Sequence, residues 1–573
     1  MPDVTWPDIP GLYGRIGKLP RRWTSPLILE LDLTEGLADE PPADPVSALL
    51  TMRRARLGEV LDGLRRARAD HRVRALVAKV GGRRIGLGSV QELRDAVAEF
   101  GRAGKLTVAW AETFGDFSAG NLPYYLATAF DRIWLQPSGD LGLTGVAVQN
   151  VFLRDALDKL GVDYEVGKRR EYKSAADTLT ERGFTGPARE AAERMTASIS
   201  GQLTEAIARR RSIGAEQARA LVDRGPFLAA EALELGLVDE LGYRDEVYAA
   251  ARRKAGQDAV TQYVGHYHRS RALARRVRTV PNPREQFVAL IHASGPIRRG
   301  SSSRGPLMTA MGSDTVTSAL RAAARDERAR AILLRVNSPG GSYVASDAVW
   351  REVVRVRGAG KPVVVSMGDV AASGGYFISM AADVIVAQPG TVTGSIGVIA
   401  AKPVLRELLD RAGVGTDSVA EGAHATMFTP TRPFSEDEWT LVNDWLDHIY
   451  ADFTGKVAEG RRMSPDRVHE LARGRVWTGA DALANGLVDE LGGMDRAAAI
   501  ARRRAGLPAT APLRIYPRNT PFERLRPSSD RAAALGPGAS LLAEAWGPVW
   551  RLATQAGLTP YGPLILPGPW TFE

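Results

Sequence analysis

The string GLVDELG occurs twice in this chain, at Gly236–Gly242 and again at Gly486–Gly492, 250 residues further on. The likeness extends outward from each copy in the same order. RALVAKV from Arg74 resembles RAILLRV from Arg330, and a glycine pair follows each. ATAFDRIWLQP (Ala127–Pro137) resembles SMAADVIVAQP (Ser379–Pro389), and LGLTGV (Leu141–Val146) falls opposite TGSIGV (Thr393–Val398). An ordered repeat of this length means two diverged copies of one folding unit. At 573 residues the chain is long enough to give each copy its own core.

Within each copy the hydrophobic pattern alternates between two periods. Apolar, β-rich runs such as VALIHA (Val288–Ala293), AILLRV (Ala331–Val336) and KPVVVSM (Lys361–Met367) read as buried strands. The stretches Ala345–Arg357 and Lys402–Ala412 read as amphipathic helices between them. Strand–helix alternation predicts an α/β fold, with mostly parallel sheets flanked by helices. The expected organisation is an N-terminal extension (1–24), a first repeat (25–265), a basic linker (266–285), a second repeat (286–510) and a tail (511–573). That tail is rich in Pro, Gly and Trp, fits neither copy, and receives no role.

Composition removes several classes of function. With no cysteine, disulfides, thiolate metal sites and cysteine nucleophiles are excluded. The net charge of +9 is spread among nearly as many acids, and no aromatic-basic RNA motif appears, so nucleic acid is not an expected partner. The basic run from His266 to Arg284 reads as a solvated linker face, with a contact for acidic lipid or a partner as the alternative. No stretch approaches the ~20 apolar residues of a membrane span, and the first residues lack the apolar core of a signal peptide. A soluble, unexported chain is the expectation.

Candidate chemistry gathers in the second copy. In AASGGYF (Ala371–Phe377), Ser373 stands where a strand passes into an apolar helical segment, so its hydroxyl would lie near a helix N-terminus. The plainer alternative is a serine N-cap followed by turn glycines. NSPGG (Asn337–Gly341) ends a buried strand, and Gly340 and Gly341 could turn bare N–H groups toward a substrate carbonyl or simply make a turn. Ser395 lies on a glycine-flanked loop that by itself is only a turn. A serine nucleophile needs a base. Of seven histidines, His71, His266, His268, His448 and His469 fall in helical or linker stretches, His292 in a strand, and none stands in a catalytic context. Only ten of the 75 basic residues are lysine. Lys173, in KRREYKSAADTLT, could serve as a neutral base if burial lowers its pKa, or could be a surface lysine.

The repeat discriminates between these readings. At a shift of 252 residues Asp131 meets Asp383 and Pro137 meets Pro389. Asn121 then stands opposite Ser373, and Leu143 opposite Ser395. In the same register Tyr172 meets His424 and Lys173 meets Ala425. The first copy keeps the lysine and lacks the serines; the second keeps the serines and lacks the lysine. One composite Ser–Lys site between the copies would leave this complementary loss.

Five strings carry a family resemblance: ASGGY from Ala372, NSPGG, TGSIG, YKSA (Tyr172–Ala175), and GRVWTGADAL (Gly474–Leu483) ahead of the second GLVDELG. In that order they resemble the signal peptide peptidase A family, also called protease IV, in its two-repeat form, over roughly residues 25–510. The resemblance implies two tandem crotonase/Clp-protease-like domains. It implies Ser373 as nucleophile, Lys173 as general base, Ser395 as the serine that orients the lysine, and the N–H groups of Gly340, Gly341 and Gly374 as oxyanion hole. No metal or cofactor is implied. The implied substrates are short or unfolded peptides such as cleaved signal peptides, taken by a homo-oligomer, a tetramer being one such assembly. Many long relatives carry an N-terminal membrane anchor, which is not read here. The expected location is the cytoplasm or the inner face of the cell membrane, with Trp6, Arg21, Arg22, Trp23 or the Trp-rich tail as peripheral contacts. Two other readings stay open: a non-catalytic peptide-binding scaffold, and a crotonase-type acyl-CoA enzyme.

Overall fold

The computed structural model describes residues 25–38, 54–82, 85–278, 282, 284–304, 309–517 and 564–565. Trp6, Arg21, Arg22, Trp23 and most of the tail lie outside the described residues. No helix among the described residues is long and apolar enough to cross a membrane.

Each repeat is built on a parallel sheet with the same strand order. In the first it runs Glu240–Leu241, Arg132–Leu135, Leu106–Ala111, Val73–Lys79, Leu27–Asp32, Val260–Tyr263. In the second it runs Glu490–Leu491, Val384–Ala387, Val363–Ala372, Ala329–Ser338, Phe287–Ser294, Leu513–Tyr516. A branch from Val363–Ala372 continues through Val392–Gly394 to the antiparallel Val476–Thr478. The strands are apolar on both faces because helices cover both. Leu76 and Ala78 pack toward the helix Leu57–Ala69, while Ala75 and Val77 pack toward Arg244–Ala255. Ile332 and Leu334 in the second copy face Ser313–Arg325, and Ala331 and Leu333 face Met494–Arg504.

The duplicated GLVDELG is a structural clamp in both copies. Asp239 accepts the Ile133 amide at 2.7 Å, and Asp489 accepts the Ile385 amide at 2.8 Å. The Tyr124 hydroxyl donates to the Leu237 carbonyl at 2.7 Å, and Tyr376 to that of Leu487 at 3.0 Å. Each clamp fixes the edge of its sheet.

Three segments differ from expectation. Lys402–Ala412 is not one helix: Val398–Val404 is a strand, and only Arg406–Arg411 is helical. The basic stretch from 266 is helical as part of Val264–Arg278, and Val264 and Tyr267 are buried in the first core. Tyr267 donates to Asp70 at 3.0 Å, which ties that helix to its repeat. Finally, Leu513–Tyr516 lies beyond residue 510 yet pairs with Phe287–Ser294, as Val260–Tyr263 pairs with Leu27–Asp32.

The repeats meet through buried polar groups. Glu92 and Arg335 form an ion pair with side chains 1% and 3% exposed. The Ser89 amide donates to Asp369 at 2.8 Å, and Gln91 accepts the Gly390 amide at 2.7 Å. Above this seam Asp163–Arg169 of the first repeat pairs antiparallel with Val398–Val404 of the second, Arg169 opposite Val398.

Candidate active site

That antiparallel pairing is what assembles the site. Lys173 follows the end of one strand by four residues, and Ser395 precedes the start of the other by three. The two are thus delivered to the same end of the ladder. Ser373 arrives from the adjacent sheet, at the end of Val363–Ala372.

Ser373 has φ 53° and ψ −114°. A non-glycine residue held there stores roughly 1–3 kcal/mol of strain. The turn leads directly into the short helix Gly374–Phe377, and the serine side chain caps nothing, so a plain N-cap role is not what is observed. The conformation is held by the Ser373 amide donating to Gly394 at 2.8 Å. The next two residues have no room for a side chain. A methyl at Gly374 would stand 2.8 Å from Ser346 Oγ, and one at Gly375 would collide with the Ser338 carbonyl. Ser395 also has positive φ, 51°, and its amide donates to the Arg475 carbonyl at 2.7 Å.

Lys173 Nζ lies 2.8 Å from Ser373 Oγ, 3.0 Å from Ser395 Oγ and 3.1 Å from the Ser395 carbonyl. All three residues are 0% exposed. The partners of the lysine are hydroxyl and carbonyl oxygens, none a carboxylate, so nothing offsets the loss of water around a charged ammonium. Desolvation holds its pKa well below the usual lysine value of 10.5. A neutral amine there donates two hydrogens, to the Ser395 hydroxyl and carbonyl. Its lone pair is then left for the proton of Ser373.

The glycines are not equivalent. Gly340 (φ 104°) directs its N–H to Ser338 Oγ at 3.2 Å, and that hydroxyl donates to the Gly295 carbonyl at 2.8 Å. Gly341 and Gly374 come close together: a methyl on Gly374 would lie 3.1 Å from the Gly341 nitrogen. Of the three expected donors, Gly340 thus has its N–H engaged by Ser338, while Gly341 and Gly374 approach each other.

Reading the sequence did not single out Gly474, Ser338 or Ser346. Gly474 (φ 85°) packs directly on the Lys173 backbone. At the rim, Tyr172 and Arg475 both bond Glu190 at 2.7 Å. The only signal for Gly474 was its membership of the string GRVWTGADAL, since its role depends on a contact 301 residues away in sequence. In the first repeat, Asn121 accepts the amides of Thr144 and Gly145 at 3.1 and 3.2 Å and donates to the Gly145 carbonyl at 2.7 Å. The corresponding loop there is stapled by Asn121, which stands where the second repeat has Ser373.

Comparison with known proteins gives a consistent family. The model for peptidase family S49 matches residues 99–258 and 355–508, together more than half of the chain. The Clp protease model matches residues 305–389. The chain is 31% identical to "Serine protease SPPA, chloroplastic" of Arabidopsis thaliana, over 79% of this chain and 66% of that one. It is 34% identical to "Protease 4" of Salmonella typhi, over 79% and 72%. It is 33% identical to "Protease 4" of Haemophilus influenzae, over 70% and 65%. The chain thus spans about two thirds of these relatives' own length.

Proposed function

Because this chain belongs to peptidase family S49, we propose that it is a serine endopeptidase acting through a Ser373–Lys173 dyad on short or unfolded peptides, such as cleaved signal peptides. The observation that carries this is the 2.8 Å contact between a fully buried lysine amine and the hydroxyl of Ser373. Neutral Lys173 takes the Ser373 proton as Oγ attacks the peptide carbonyl. The resulting oxyanion is held by the Gly341 and Gly374 amides, each donor supplying about 3 kcal/mol in comparable sites. The lysine ammonium then gives its proton to the leaving amine as the C–N bond breaks, which leaves an acyl-serine. Water, deprotonated by the same amine, attacks the ester. The peptide acid departs and Ser373 regains its proton.

Ser395 keeps the lysine aimed, through both its hydroxyl and its carbonyl. Assembly into a homo-oligomer such as a tetramer, and contact with the inner face of the membrane, follow from the same family reading. Mass determination in solution tests the first, and vesicle sedimentation the second. The test of the reaction is hydrolysis of a fluorogenic apolar peptide by wild type, Ser373→Ala and Lys173→Arg. Both variants should lose turnover, since an always-protonated guanidinium cannot serve as base, and Lys173→Met, which places no charge in the buried site, should lose it with the fold retained. An active Lys173→Arg would place the base elsewhere. Failure of the wild type to form an adduct with a serine-directed probe would favour a peptide-binding scaffold.

A further inference from the structure

The strand that carries the nucleophile is longer than its counterpart. Lys79 pairs with Trp110 in the first repeat as Arg335 pairs with Ser366 in the second. The first repeat's strand ends just past Trp110, at Ala111, whereas the second runs on from Met367 to Ala372 and delivers Ser373. The added stretch does not continue the ladder evenly. Val336 pairs with Met367 but Ser338 with Ala371, so Asn337 alone stands against Gly368, Asp369 and Val370. A bulge of this kind re-aims the residues that follow it. Within its own repeat it is held by Asn337, which accepts the Val370 amide at 3.2 Å, and by Thr391, which donates to the Gly368 carbonyl at 2.7 Å. The first repeat has Gly81 in place of Asn337.

The middle residue of the bulge is held by the other repeat. Asp369 accepts the Ser89 amide at 2.8 Å and the Ser89 hydroxyl at 3.0 Å, and Ser89 is buried. Ser89 is the third residue of the helix Leu87–Arg102, so its amide is one that the helix itself leaves without a partner. The helix Tyr343–Gly358 takes the same place in the second repeat. There the corresponding amide, that of Ala345, is accepted by the helix's own Ser342 at 3.4 Å. The first repeat has Gly86 opposite Ser342, which offers no side chain for a cap. A methyl on Gly86 would collide with the Asp369 carboxylate, and one on Gly88 would stand 2.8 Å from the Gly368 carbonyl. The first repeat's helix thus lacks a cap of its own, and the bulge beside the nucleophile supplies it.

We propose that Asp369 is a positioning residue for Ser373: the N-terminus of the first repeat's helix holds the bulge, and the bulge sets where the nucleophile stands relative to Lys173. The inference rests on the peptidase reading above. Asp369 acts through the four residues of backbone that lead to Ser373 and takes no part in proton transfer. The first repeat then contributes to the reaction twice, through Lys173 and through this helix.

The test uses the full chain and a fluorogenic apolar peptide. Asp369→Ala should lower kcat about tenfold with KM unchanged, as a shift of about half an ångström would where about 1 Å costs on the order of 100-fold. Labelling of Ser373 by a fluorophosphonate probe should slow to match. The acid limb of kcat/KM should stay in place, because Lys173 is undisturbed. Asp369→Asn keeps an acceptor for the Ser89 amide and should restore most of the rate. Gly86→Ser/Asp369→Ala separates positioning from stability. The alanine makes room for a serine that can cap its helix as Ser342 does, so the denaturation midpoint lost in Asp369→Ala should return while kcat stays low. The double variant also serves if Asp369→Ala alone does not fold. Recovery of kcat together with stability overturns the inference, because the contact would then be a cap and nothing more. Wild-type kcat and labelling in Asp369→Ala also overturn it, and hydrolysis by wild type then leaves the peptidase reading intact. A displaced acid limb places the damage at Lys173 and counts against it equally. A wild type that neither hydrolyses peptide nor takes up the probe sinks the peptidase reading, and this inference with it.

Discussion

Replacing Gly474 by alanine places a methyl carbon 2.5 Å from the Lys173 nitrogen and 2.6 Å from its Cα and Cβ. Ordinary contacts of this kind begin at 3.4 Å, so Lys173 must retreat by roughly 0.8 Å for the two backbones to coexist. That retreat would stretch the 2.8 Å separation of Nζ from Ser373 Oγ to the edge of hydrogen-bonding range. A misplacement of about 1 Å at a reacting pair costs on the order of 100-fold in rate, equivalent to about 2.7 kcal/mol of barrier. Gly474→Ala should therefore lower kcat and kcat/KM together about 100-fold, and slow labelling by a serine-directed probe to match. The substitution also forces alanine to φ 85°, which by itself costs roughly 1–2 kcal/mol of stability. Gly506→Ala separates the two effects: Gly506 has φ 64° and nothing within 4 Å of an added methyl. It should lose similar stability and keep full activity. If folded Gly474→Ala retains more than about a third of wild-type kcat/KM, the lysine is not held by this contact and the reasoning fails.

Other outcomes follow from the same geometry. Ser395→Ala removes one hydroxyl partner of Lys173 and leaves the carbonyl, so kcat should fall about tenfold, for roughly 1.4 kcal/mol, with KM unchanged. Since burial lowers the Lys173 pKa well below 10.5, kcat/KM should rise with pH through the acid limb as the amine loses its proton. Stability carries the same sign. The unfolded lysine keeps its proton up to pH ~10.4 and the folded one does not, so folding releases a proton and this group adds about 1.4 kcal/mol of stability per pH unit between the two values. Denaturant unfolding of wild type and Lys173→Met across pH checks it: the difference between them should show that slope. At the seam between repeats, Arg335→Met removes one side of a buried ion pair and should cost about 3–5 kcal/mol in chemical denaturation. Adding Glu92→Gln, which removes the charge and keeps an acceptor for the Met494 amide, should recover most of that loss.

Much of this molecule was legible in one dimension. The repeat required two like units, and the apolar periods predicted parallel sheets covered by helices. Those signals are local, because a strand's two faces are written every second residue, as at Ala75–Ala78 and Ala331–Leu334. Aligning the copies separated the residues the copies keep from those each has lost, and so pointed to Lys173, Ser373 and Ser395. Where strand gives way to helix was less legible: Lys402–Val404 has apolar spacing that suits a helix, but pairing with Asp163–Tyr164–Glu165 makes it a strand. Only the tertiary structure decided that the amine and the hydroxyl meet within one chain, 200 residues apart. The cross-repeat ladder with Arg169 opposite Val398 sets that distance, and no local pattern encodes a register between segments so remote. The seating of Gly375 on the Ser338 carbonyl and the contact of Gly474 with Lys173 share that origin. Each is a close approach of two backbones, which a sequence shows only as a glycine or a serine until the partner strand is in place.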